Sequence, residues 1–343
     1  MEGDRKMENT QNKSFFALMR KIPGGIIIVP LFIGVIVNTI APDALKIGGF
    51  TTGLFSTGTS CLLGLFLLLN GASIDIRHIG MPFYKGFVLT AIKFVLGVAL
   101  GLLVSALCGP AGLLGVTPMA IIAAITNSAG GEYLAIAQQY GDDTDAGAIS
   151  ILSLNDGPFF TMIAMGAAGM ASIPFMTFVA TLVPLIVGIV WGNLDAEFRK
   201  HASNALPIVT FFMMIPIGAG MSLRGLVSGG IGGVILAVIS ALSAFVFYAV
   251  YQIFLPKKKR NAMGAAIGTT AANATAVPAY MAEVDSTFAP VVSAATAQVT
   301  IAAIVTAFTC PLITAMLDKR MRRLKKGIYS DEAVAEQAAQ AKK

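Results

Sequence analysis

Charge is what this sequence has least of. Asp, Glu, Lys and Arg make up 12% of its 343 residues, roughly half the usual share of about 25% in a soluble domain. So little charge cannot solvate a water-facing surface of that size, which excludes an ordinary soluble enzyme or binding module. Histidine is scarce too, with only His78 and His201, both at the ends of apolar stretches. Cys61, Cys108 and Cys310 lie in apolar runs without metal-ligand spacing and read as free packing residues. There is no phosphate-cradling loop of the GxxxxGK type, no Ser/His/Asp arrangement and no metal-ligand cluster. Hydrolytic, metal-dependent and self-powered ATP-driven chemistry all lack material, so neither catalysis nor a cofactor or metal is expected. Long polar linkers are missing as well, which argues against a receptor or scaffold with a soluble signalling domain.

What is abundant is apolar sequence: 56% of residues are hydrophobic and the mean hydropathy is +0.78. Apolar windows fall at 22–41, 53–74, 86–108, 113–138, 146–170, 172–194, 205–223, 230–255, 261–282 and 288–317. Each reaches or exceeds the roughly 20 residues that a helix needs to cross a bilayer, within a residue or so. The expectation is an all-α integral membrane protein of ten transmembrane helices. The first 13 residues are polar and precede a run long enough to span, so no cleavable signal peptide is expected. Cationic residues sort by side. With the N-terminus inside, 21 of the Lys and Arg residues are cytoplasmic, including Arg5, Arg77, Lys85, Arg199, Lys257 to Arg260 and the set from Lys319 to Lys343. Only Lys46 and Arg224 lie outside, and Lys93 falls within a span. This is the positive-inside asymmetry of a bacterial inner-membrane protein with both termini cytoplasmic, in contact with anionic lipid. The formal charge of +6 is therefore a topology signal rather than a nucleic-acid footprint.

The two halves echo each other in order. Pro30-Leu31-Phe32-Ile33-Gly34 is matched by Pro184-Leu185-Ile186-Val187-Gly188, and Gly71-Ala72-Ser73 through Arg77 by Gly218-Ala219-Gly220 through Arg224. With five spans per half, an odd number, the second half must sit upside down. The expected organisation is a cytoplasmic N-terminal segment over 1–21, a first five-helix repeat over 22–170, an inverted second repeat over 171–318, and a basic cytoplasmic tail over 319–343. Inverted repeats suit a secondary transporter, because two related halves can exchange inward and outward openings around a midplane site.

The candidate site lies where spans four and nine read poorly as continuous helices. Thr126-Asn127-Ser128-Ala129-Gly130-Gly131-Glu132 and Gly268 through Asn273, Thr275 and Pro278 put small polar residues and helix breakers at corresponding places. Breaks are expected near Asn127 to Gly131 and near Asn273 to Pro278. Unwound backbone at membrane depth is tolerated where it lines a cavity, and half-helix N-termini offer amide groups to an anion. Asn127, Ser128, Gly130, Gly131, Asn155, Asn273, Thr275 and Gln298 are the substrate-binding candidates. Asp156, mid-span in the fifth window, and Glu132 are the proton-coupling candidates. Lys93 is expected to pair with an acid or to meet the substrate carboxylate; apart from it, no Lys or Arg lies deep in any window. Asn70, Asp75 and His78 read as a solvated span end.

Ile22-Pro23-Gly24-Gly25, Gly71-Ala72-Ser73-Ile74, Gln138-Gln139-Tyr140-Gly141, Ala146-Gly147-Ala148, Gly157-Pro158 and Gly192-Asn193-Leu194-Asp195 carry a resemblance. In their order and spacing, from about residue 20 to 318, the chain resembles the 2-keto-3-deoxygluconate permease family. The resemblance implies a proton symporter for a sugar acid, with a five-plus-five inverted repeat and crossed fourth and ninth helices like the bile-acid symporter fold. Two places depart from the family pattern. Ser128-Ala129-Gly130-Gly131-Glu132-Tyr133 stands where the family reads Thr-Asn-Gly-Gly-Leu-Tyr. Leu154-Asn155-Asp156-Gly157-Pro158 stands where it reads Leu-Glu-Ser-Gly-Pro, which swings a carboxylate about 100° around the helix. Rival readings are a sodium-coupled organic-anion symporter of the same fold, using oxygens of Asn127, Glu132, Asn273, Thr275 and Gln298, and a receptor or a channel.

Overall fold

The computed structural model describes residues 14–21, 25–76, 80–109, 111–155, 158–167, 169–220 and 223–340. Among these the chain is helical throughout and contains no strand, only an isolated bridge between Leu113 and Val116. Five helices are long and apolar enough to cross a membrane: Met81–Cys108, Phe175–Leu194, Ala196–Ala219, Gly229–Phe254 and Ser286–Tyr329. Three more spans arise if each bent pair counts as one, giving up to eight. Those pairs are Gly49–Phe55 with Thr59–Ser73, bent by 61°, Pro118–Thr126 with Gly130–Tyr140, bent by 44°, and Thr144–Asn155 with Phe159–Ala167, bent by 59°. The first apolar window holds the shorter helix Gly25–Ile40, and the ninth holds only a turn at Met263–Ala266, a 3-10 segment at Ala272–Ala276 and the helix Val277–Val284.

Lipid is the solvent for the outer faces. Phe50, Phe87, Val95, Leu103, Ile186, Val190, Leu242 and Leu312 are exposed along the spanning helices, an arrangement water would not tolerate. The interior is organised by close backbone contacts. Gly25–Ile40 packs on Ala196–Ala219, and Thr59–Ser73 on Phe175–Leu194. In the first pair a Cβ on Gly34 would strike the carbonyl of Ile215, and one on Gly218 that of Leu31; in the second, Gly71 meets Leu185 and Gly188 meets Leu68. These four glycines come from the matched sequence segments. Only glycine lets the backbones approach so closely.

The largest core cluster surrounds the broken elements, with Met119, Ile122, Ile125, Tyr133, Phe247, Met263, Val277 and Val299 buried. Local chemistry fixes where the broken pieces begin. Thr117 caps Pro118–Thr126, its hydroxyl accepting from the Ala120 amide, with Pro118 at the first helical position. Asp142 and Asp145 form a reciprocal capping box at the start of the next segment. Lys85 belongs to the cytoplasmic charge set by sequence, yet its side chain is fully buried and paired with Asp142 at 3.0 Å and Asp145 at 2.9 Å. Burial works to raise the Asp142 carboxyl; the Lys85 ammonium and the Thr144 hydroxyl override it and hold the group down at about 2. After the long last span, Asp331–Gln340 forms a short helix.

Candidate functional site: a cavity between two interrupted helices

The fourth-window break falls at Asn127–Ala129, between Pro118–Thr126 and Gly130–Tyr140. The ninth-window break comes earlier than its sequence suggests, over Ile267–Ala271, and Asn273 to Pro278 are already coiled into the 3-10 turn and the helix after it. Proline at a first helical turn starts a helix rather than ending one, which accounts for the shift. The broken elements pack on one another, Gly130–Tyr140 on Met263–Ala266 and Pro118–Thr126 on the segment from Ala272.

Beside the two breaks lies a cavity of about 490 Å³, within the range typical of small-molecule sites. Ser128, Gly130, Gly131, Glu132 and Asn273 line it together with Asn70, Ser73, Ser150, Ser153, Ser203 and Thr210. Among the described residues, no Lys or Arg is in this lining. The amide ends of both broken helices meet the cavity. Ala129 and Ala271, which precede them, give no side-chain cap, so the first-turn N–H groups are left for another acceptor. Nothing would obstruct a side chain at Gly131, so the approach to that helix end is open.

The carbonyl ends are handled differently: side chains from the break itself and from other elements take them. The Asn155 amide donates to the Thr126 carbonyl, and Asn127 donates to that of Ala123 at 2.9 Å. The Lys93 ammonium donates to the Ile267 and Thr269 carbonyls at 2.7 and 2.6 Å. A cation is well matched there, because helix C-termini carry a partial negative charge. The result is a cavity that sees helix N-termini while the opposing carbonyls are neutralised behind its wall. Several oxygens around the breaks make no hydrogen bond among the described residues: Glu132 Oε2, Asn155 Oδ1, Thr270 Oγ1 and Asn273 Oδ1.

Of the remaining candidates, Thr275 is buried and donates to the Ala272 carbonyl at 2.8 Å, steadying the 3-10 turn. Gln298 stands apart from the cavity: it donates to the Gly115 carbonyl at 2.6 Å and accepts from the Thr117 amide at 3.2 Å. Asp156 lies outside the described residues, as does His78. Asn70 overturns its sequence reading as a solvated end, being 5% exposed and donating to the Ser153 carbonyl at 2.8 Å. Asp75 beside it pairs with Arg199. The cavity's hydroxyl residues were legible only as spacing: Asn70 and Ser73, Ser150 and Ser153, and Ser203 and Thr210 each recur on one helical face.

A family model described as 2-keto-3-deoxygluconate permease matches residues 16–323. The chain is 44% identical over 307 residues to 2-keto-3-deoxygluconate permease 1 of Salmonella typhimurium, covering 89% of this chain and 96% of that one. It is 33% identical over 315 residues to the 2-keto-3-deoxygluconate permease of Bacillus subtilis, covering 90% and 95%. Against that of Dickeya chrysanthemi it is 34% identical over 328 residues, covering 94% and 96%. This chain, a multi-pass helical membrane protein, belongs to the 2-keto-3-deoxygluconate permease family.

Proposed function

We propose that this protein is a secondary active transporter that takes up 2-keto-3-deoxygluconate or a related sugar acid, coupled to protons, across a bacterial inner membrane. The observation that carries the reading is the polarity of the cavity. Two uncapped helix N-termini face it, the matching carbonyl ends are occupied by Asn155, Asn127 and Lys93, and its lining is rich in hydroxyls and amides. The N-termini suit a carboxylate; the serines, Asn70 and Asn273 suit a polyol chain. The relatives' names supply the substrate.

Ten spans in an inverted five-plus-five arrangement, with crossed fourth and ninth helices, fit the reciprocal glycine contacts, the mutual packing of the broken elements and the distribution of Lys and Arg. In that orientation both termini are cytoplasmic. The cavity runs from the breaks toward Ile27, Ser73 and Ser203, the cytoplasmic end, so the conformation is inward-facing. Toward the other end Thr181 and Tyr280 hydroxyls meet at 2.8 Å, Glu283 accepts from Ser60, and the Ser172 amide donates to Asp285 at 3.0 Å. These contacts close the outer path. Alternating access then requires them to part while the inner side closes.

Glu132, in the cavity wall, and Asp156 are the residues proposed to carry the coupled proton. A sodium-coupled mechanism has one observation in its favour, the unpartnered oxygens around the breaks. It has one against it: at the ninth-window break the carbonyls a metal cation would use already hold the Lys93 ammonium. Uptake into liposomes under an imposed pH gradient or an imposed sodium gradient separates the two. Accumulation that needs sodium and ignores pH would refute proton coupling.

A further inference from the structure

A second cavity, also of about 490 Å³, lies at the far end of the molecule from the outer closure. Its wall comes from the link 256–260 and from the turn that follows Arg323. Five basic side chains line it: Lys257, Lys258, Arg260, Lys325 and Lys326. Among the described residues, one lining acid stands against them, Glu332, which pairs with Lys258 at 3.7 Å, together with Asp331, which pairs with Lys325 at 3.0 Å. The cradle therefore keeps an excess of positive charge even with its own tail in place.

This is a built feature rather than a chance gathering of surface lysines. The Ile328 amide donates to the Arg260 carbonyl at 3.0 Å, binding the two walls together. Gly327 sits at φ +66, and a Cβ there would collide with that same Arg260 carbonyl. Both the backbone conformation and the close approach require glycine. Behind the turn, Tyr329 donates to Asp318 at 2.7 Å and the Arg322 guanidinium stacks 4.4 Å from the Tyr329 ring. The neighbouring helix surface is apolar and outward-facing: Ile253, Phe254, Met316 and Leu324 are all exposed. The cradle thus lies where lipid tails give way to headgroups, on the cytoplasmic side of the orientation proposed above.

We infer that this cavity is a binding site for the phosphate of an anionic phospholipid headgroup, with the acyl chains lying along Ile253, Phe254 and Leu324. Basic pockets between spans at the cytoplasmic surface suit such headgroups. Glu332 acts as an internal competitor, its carboxylate paired with Lys258 at 3.7 Å where the singly charged phosphodiester would bind. The site rests on the proposed orientation but not on the solute cavity, so sugar-acid binding serves as an independent check of folding.

The test is native mass spectrometry of the delipidated full-length protein titrated with phosphatidylglycerol and with phosphatidylcholine. Phosphatidylglycerol should bind at least tenfold more tightly. The combined variant Lys257→Gln, Lys325→Gln, Lys326→Gln should lose that preference while keeping sugar-acid binding. Glu332→Gln should tighten phosphatidylglycerol binding, and Lys200→Gln, an exposed cation elsewhere, should change nothing. If the triple variant does not fold, Glu332→Gln decides, and unchanged affinity there overturns the inference. It is also overturned if the folded triple variant keeps the preference, if Lys200→Gln abolishes it equally, or if low-millimolar inorganic phosphate displaces the lipid, which would make a soluble anion the ligand.

Discussion

Replacing Lys93 with methionine distinguishes a residue that holds the site together from one that touches the solute. The side chain is 1% exposed, does not line the cavity, and gives two short hydrogen bonds to the Ile267 and Thr269 carbonyls. A hydrogen bond to a charged group contributes about 1.5–3 kcal/mol. Methionine fills similar space but donates nothing, so two carbonyls at a helix end lose their donor inside the protein. A net destabilisation of about 3–5 kcal/mol follows, once packing by the thioether is allowed for. The assay is thermal unfolding of the purified protein in mild detergent, paired with sugar-acid binding by calorimetry on the folded fraction. Lys93→Met should lower the unfolding temperature by several degrees and weaken binding less than Asn273→Ala does. Full thermal stability together with abolished binding would mean that the ammonium meets the solute carboxylate, and this reasoning would be wrong.

Asn273→Ala, at a residue with an unpartnered oxygen in the cavity wall, should weaken sugar-acid binding about tenfold, a loss of about 1.4 kcal/mol, read by the same calorimetry. Asp156→Asn should abolish proton-driven accumulation in liposomes while sparing much of the binding; unimpaired accumulation would move the coupling role to Glu132. The Asp142 carboxyl is held down at about 2, below its ordinary value, so its stabilising contribution is complete above about pH 4 and disappears as pH falls toward 2. Asp142→Asn should therefore lower the unfolding temperature at pH 7 and lose that difference in strong acid, as a pH series of melting curves would register.

The helical membrane character was legible because it follows from composition: scarce charge and long apolar windows are both properties of a linear string. The existence of both breaks was legible too, since Asn127 to Gly131 and Thr269 to Pro278 place helix-breaking residues where a lipid-facing helix would have none. Their positions were harder to read, because Pro278 serves as a start signal in the structure. The bends at 56–58 and between Asn155 and Phe159 were not foreseen, although Ser56-Thr57-Gly58 and Asn155-Asp156-Gly157-Pro158 both carry polar and helix-breaking residues. Polar side chains were the least readable of all. Gln298 and Asn155 occupy comparable places in sequence, yet one ties down residues 115–117 and the other the Thr126 carbonyl at the break. Asn70 looked like a solvated span end and is a buried wall residue. What separates these cases is the packing of distant segments, which no local pattern records.

The central claim, proton-coupled uptake of a sugar acid, is tested most directly by transport into liposomes containing the purified protein. With the interior made alkaline and sodium absent, labelled 2-keto-3-deoxygluconate should accumulate above its external concentration, and a protonophore should collapse the accumulation. Mere equilibration under the pH gradient, or accumulation that appears only when sodium is supplied, would contradict the account.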